Sequence, residues 1–280
     1  MKMVPGTHSQ SVLAVWSWRP SLGRLVLALF VLAGLAGSAW ATTVVDLTTP
    51  GSSGFINGAL FTDHNGMPAG SGVVDSFVRI RAANKSVVEG YNTDFRPLEF
   101  DENTSATFTH DLALSAVGGI NIGMVQYRQF RLDINQIGMG SSLLSLDMLQ
   151  IFLTAASSPT MYPGGLGTMI YDLDGGGMDN WIKLDSNNGS SGSGDLDMLA
   201  NIPETLFAGA GCYPNCNVVL YSKFGSNFAN NDGYEEWATK AGGAVIIEPE
   251  PIPEPASMFL LGSGLLGLAG VARRKKNSRK

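Results

Sequence analysis

Histidine and cysteine are scarce in this 280-residue chain, which has three of the first and two of the second. Only His64 and His110 lie beyond residue 41, and no serine sits in a G-x-S-x-G turn. A Ser-His-Asp hydrolase therefore has little to be built from. Two cysteines are too few for a soft-ligand metal site. Charged residues make up 15% of the chain, and neither end of it contains an acid. Residues 42–255 carry all 24 acidic residues against nine basic ones, a net of −15. Such a body repels polyanions, so nucleic acid is excluded as a partner. Apolar periodicity of 3.6 is missing except at residues 143–152, where Ile, Phe and Leu close the segment and favour a strand. There is no repeat of fixed period and no sign of a second domain. What is present is 44% apolar residues, enough for a core, together with 35 glycines.

The two basic ends read as targeting segments. Lys2, Arg19 and Arg24 precede the apolar run LVLALFVLAGLA at 25–36, and Ala39-Trp40-Ala41 follows. A basic region, a short apolar stretch and a small-x-small site define a signal peptide over 1–41, cut after Ala41. Twelve apolar residues fall short of the ~20 needed to span a bilayer, although a retained anchor is the rival reading. Export by the Sec translocon and signal peptidase makes Cys212 and Cys216 a disulfide across a turn. Closing so small a loop contributes about 2 kcal/mol. A redox pair is the sharper alternative, but the spacing is CxxxC.

At the other end, residues 248–255 read EPEPIPEP, a proline-rich spacer that cannot be helical. Residues 256–272 then run seventeen positions without a charge, and Arg273, Arg274, Lys275 and Lys276 follow. As a helix this segment is about 25 Å long, the short limit for one span. The basic cluster would hold its end on the cytoplasmic side. Pro253-Glu254-Pro255, the glycine-studded apolar helix and the basic cluster together resemble the PEP-CTERM sorting signal of Gram-negative bacteria. An ordinary tail anchor needs only the last two. The resemblance implies an exosortase as processing partner, a single-span sorting helix over 256–280, transient inner-membrane anchoring, and release to the cell surface or beyond. It also implies an association with exopolysaccharide and biofilm matrix.

Between the ends, short segments alternate apolar and polar residues and are separated by Gly, Asn, Pro and Ser. Phe130, Leu132 and Ile134 alternate with Gln129, Arg131 and Asp133; Val78 and Ile80 alternate with Arg79 and Arg81. Further strands are expected at 54–62, 106–114, 149–154, 168–173, 181–185, 195–202, 218–224 and 234–239. The fold class is all-β: a single acidic β-sandwich over 42–247, of jelly-roll type. Segments 88–94, 97–105, 132–136, 144–147, 220–225 and 230–237 resemble a recurring body of PEP-CTERM proteins, to which no activity is attached.

Acids are the one abundant chemical feature. Asp172, Asp174 and Asp179 lie in one glycine-rich turn, and Asp232 and Glu235 lie in another oxygen-rich segment. These five are the candidate calcium ligands. The twelfth position of an EF-hand starting at Asp172 is Lys183, and of one starting at Asp133 is Leu144, so neither loop is an EF-hand. The bland alternative is that they are solvated turn residues. Tyr91, Tyr162, Tyr213 and Trp237 are candidate sugar-stacking aromatics, with core packing favoured for Trp181 and Trp237. No residue is assigned a catalytic role. The expected function is a non-catalytic surface or matrix module for exopolysaccharide or surface proteins. A secreted glycan hydrolase with a carboxylate pair is the alternative.

Overall fold

The computed structural model describes residues 42–64, 75–136, 141–188, 196–231 and 233–239. The signal peptide with Ala39 and Ala41, the spacer with Pro253-Glu254-Pro255, the sorting helix and the Arg273–Lys276 cluster lie outside them.

Among the described residues fourteen strands form two seven-stranded sheets. The first sheet runs β1 (Val44–Asp46), β11 (Trp181–Asp185), β9 (Leu143–Thr154), β13 (Asn217–Phe224) and β5 (Val88–Tyr91). Within it, β10 (Thr168–Asp172) also pairs β9, and β6 (Leu112–Ala113) pairs β13. The second runs β2 (Ser53–Ile56), β3 (Ala59–Asp63), β12 (Met198–Pro203), β8 (Val125–Ile134), β14 (Glu235–Thr239) and β4 (Ser76–Ile80). There β7 (Gly119–Ile122) pairs the first half of β8. All pairings are antiparallel except β1 with β11.

Alternation sorts the side chains. Leu132, Ile134, Val78 and Ile80 of one sheet meet Leu149, Ile151, Val218 and Leu220 of the other in the principal core. Residues 143–152, ambiguous by periodicity, are a strand throughout. Trp237 is fully buried, and its indole N–H donates to the Ser222 hydroxyl at 3.0 Å, linking β14 to β13 across the sandwich. The opposite side of the first sheet is not bare. Tyr91, Phe152, Val219 and Tyr221 form a second cluster, and Tyr162 stacks on Tyr221 with ring centroids 4.0 Å apart. Glu99 holds this covering loop by accepting the Thr160 hydroxyl and the backbone N–H groups of Met161 and Tyr162.

Two sequence expectations are corrected. Residues 54–62 form a hairpin, because Asn57 and Gly58 both take positive φ (49° and 84°), as a two-residue turn requires. The Asn57 amide then donates to the carbonyls of Asp172 and Leu173, each at 2.9 Å, tying the hairpin to the other sheet. Residues 106–114 are mostly turn, with strand only at β6 and a 3-10 turn at Leu114–Ala116. Arg96 competes for that backbone, donating to the carbonyls of Thr93, Phe95, Thr104 and Thr109. Strands β1, β5 and β7 are too short to have been read from alternation.

Trp237 lies in the last described strand and in the interior of its sheet. Trp237→Ala is expected to cost about 3–5 kcal/mol, seen as a lower denaturant midpoint with an unchanged slope. A loss below about 1 kcal/mol would mean that β14 does not hold the sheets together.

Candidate functional site

Alternation along β4, β14 and β8 points Ile80, Trp237 and Leu132 into the core. It points Arg79, Glu236 and Asp133 to the other face of the sheet. In register, Glu236 stands opposite Arg79 on one side and Asp133 on the other, so the three make one row across three strands. One step along, the Tyr234 carbonyl accepts the Asn135 N–H at 3.0 Å. These five residues line a pocket of about 220 Å³. That is smaller than the ~300–1,000 Å³ of drug-sized sites, and suits one small polar unit.

Cation and ring alternate around this pocket. The Arg79 guanidinium lies 3.5 Å from the Phe108 ring centroid, and that of Arg81 lies 4.5 Å from the Tyr234 centroid. Arg81 also donates to the Tyr234 hydroxyl at 2.7 Å. Arg79 pairs through Nε with Glu236. Burial raises the pKa of the Glu236 carboxyl, and the Arg79 charge and hydrogen bond oppose that rise. Asp133 is buried on the other side of Glu236. Two carboxylates and the Asn135 amide thus supply more acceptors than Arg79 supplies donors, a balance that suits a ligand rich in hydroxyl groups. Residues on opposed strands are about 5 Å apart, the separation a hydrolytic pair would use.

The calcium candidates do not form one cluster, being split between the 172–179 turn and β14. Asp172 and Asp174 turn onto their own loop: Asp172 accepts the Asp174 N–H at 3.1 Å and Asp174 accepts the Asn180 N–H at 2.8 Å. Burial, with Asp172 and Asp179 adding repulsion, pushes Asp174 up to about 6. Glu235 belongs to β14 in the other sheet, fully buried, and Asp232 lies outside the described residues. Among the described residues no group of three or more His, Cys, Asp or Glu side chains could hold a metal ion.

Cys212 and Cys216 are bonded, with Cα atoms 5.1 Å apart. Tyr213 between them reaches Glu204, which is paired with Arg128 of β8. Of the candidate stacking aromatics, Tyr91 and Trp237 are buried, Tyr162 is half-buried in the second cluster, and Tyr213 is exposed. Sequence reasoning did not bring Arg79, Asn135, Tyr234 and Glu236 into one site. The available signal was a set of charged residues alternating inside strands that proved to be internal.

Removing one partner of the Arg79–Glu236 pair strands a largely buried charge. Arg79→Met is expected to cost about 2 kcal/mol, and the double change Arg79→Met, Glu236→Gln less than Arg79→Met alone. Equal losses in urea denaturation would mean the pair is uncoupled.

No curated protein and no solved structure matches the chain. Among the described residues no helix is long and apolar enough to cross a membrane. Residues 251–276 match the family of the PEP-CTERM protein-sorting motif, in agreement with the order of proline-rich, apolar and basic segments. The chain therefore carries at its C-terminal region the motif of an exported, cell-surface-directed protein sorted by an exosortase.

Proposed function

We propose that the protein is a non-catalytic surface or matrix module whose all-β body binds the neutral sugar units of an exopolysaccharide. Its ligand site is the pocket of Arg79, Asp133, Asn135, Tyr234 and Glu236. The observation that carries the reading is the acceptor-rich row Arg79–Glu236–Asp133 fixed across three paired strands. Rigid strand positions keep these acceptors in place before a ligand arrives, which lowers the ordering cost of binding. The sorting motif supports the setting, since it directs the protein to the cell surface. A jelly-roll path is supported by the alternation of the chain between sheets from β11 through β12, β13 and β14. On this reading, anchoring in the inner membrane is transient. Arg273–Lys276 fix its direction, and cleavage near Pro253-Glu254-Pro255 ends it.

Neutral, amino and uronic-acid oligosaccharides are the panel for binding and turnover. Neutral glycans are expected to bind without being cleaved, and Tyr234→Ala or Glu236→Gln to weaken binding at least about tenfold, ~1.4 kcal/mol. Turnover abolished by Asp133→Asn would replace this reading with the hydrolase; no binding by any member would remove the pocket.

Processing is checked separately. In an exosortase-bearing host, replacing Pro253-Glu254-Pro255 by alanines is expected to leave a full-length, membrane-retained species. Mass spectrometry of the exported wild type decides: a C-terminal peptide still ending at Lys280 would make the segment an ordinary tail anchor.

A further inference from the structure

Glu235 opens β14 between the pocket residues Tyr234 and Glu236, and alternation turns it the other way, into the sandwich. It is fully buried, and among the described residues no other residue hydrogen-bonds either carboxyl oxygen, its own backbone N–H being the one donor that acts on it. Its cross-strand neighbours are Ile80 of β4 and Ile134 of β8. Trp237, two residues along, reaches Ser222 of β13. The interior positions of β13 and β5 are Val218, Leu220, Ser222, Phe224, Val88 and Gly90, none of them charged. Glu102, bridged to Ile80, spends its carboxylate on the N–H groups of Tyr91 and Phe100. Glu236 is the charge that acts on Glu235, and it is of the same sign. A carboxylate without a partner in such surroundings is far costlier than a neutral carboxyl.

Resting on the pocket reading above, we propose that Glu235 makes β14 a proton-dependent strand, so that proton loss on opening loosens the sheet and disassembles the ligand pocket as pH rises. Tyr234 immediately precedes Glu235 and Glu236 immediately follows it, so the strand cannot leave its place between β4 and β8 without carrying two of the five pocket residues with it.

The direction follows from linkage. Burial, with Glu236 adding, pushes the Glu235 carboxyl up to about 8 in the closed sheet, and in an opened strand it returns to the ordinary glutamate range. Between those two values the closed form holds a proton that the open form has lost. Stability is therefore full below the ordinary range, falls as pH rises, and levels off once pH passes about 8. Opening grows about tenfold per pH unit inside the window.

The test is amide hydrogen exchange on the exported protein between pH 5 and 8, corrected for intrinsic exchange, with β9 as internal reference. In the wild type, protection of residues 235–239 is expected to fall about tenfold per pH unit relative to β9. In Glu235→Met and Glu235→Gln, which keep Glu236, that slope is expected to vanish. Two variants are used because the amide leaves a buried polar group and the thioether does not. Affinity for a neutral glucan oligosaccharide should fall with pH in the wild type and stay level in Glu235→Met. A flat wild-type profile, or the same slope in both variants, overturns the proposal. A sloping profile without glycan binding at any pH removes the pocket reading and leaves the proton-dependent strand standing.

Discussion

Trp237 and the strand that carries it hold the two sheets to each other. Its ring fills the interior from β14, its N–H reaches across to Ser222 on β13, and its strand separates β4 from β8. Without β14, β4 would have no partner in its own sheet. Pairing β14 with β4 and β8 is non-local in the chain, and burial of Trp237, the largest side chain in the core, helps offset the loop-closure entropy.

The same strand shows how one short segment serves two faces. Period-2 alternation gives Glu235 and Trp237 to the interior and Tyr234 and Glu236 to the pocket. On the pocket side, charges are tolerated because each has company: Arg79 beside Glu236, and rings of Phe108 and Tyr234 against the guanidinium groups. On the interior side Glu235 has none, and its carboxyl stays protonated to about 8. Two adjacent glutamates thus differ in character solely through the side of the sheet they occupy.

Polar side chains elsewhere do structural work that turn composition alone would not reveal. Asp147 and Ser145 hold the 225–228 turn by accepting N–H groups from Ser226, Asn227 and Phe228. Glu99 anchors the loop over the first sheet, and Asn57 ties a hairpin of one sheet to the other. Much of the acidity of the body is therefore committed to capping backbone donors, as burial of loop N–H groups requires. This explains why a sequence dense in aspartate does not gather a metal site among the described residues.

The sequence by itself determined what depends on local order. The sorting motif is a linear succession of proline, apolar and basic segments, legible without any fold, and its match at 251–276 agrees with that reading. Strand Trp181–Asp185 and the second half of β8, from Gln129 to Ile134, were legible because half-buried strands impose period 2 on their own residues. Tertiary structure alone decided what depends on register. Arg79, Asp133 and Glu236 are separated by 54 and 103 positions, and only strand pairing sets them in one row. Glu235 and Glu236 are indistinguishable by spacing, and only the facing of β14 makes one a pocket acceptor and the other a buried acid. The physical reason is that side-chain period is a property of the strand, while partner and face are set by the sheet that the strand joins.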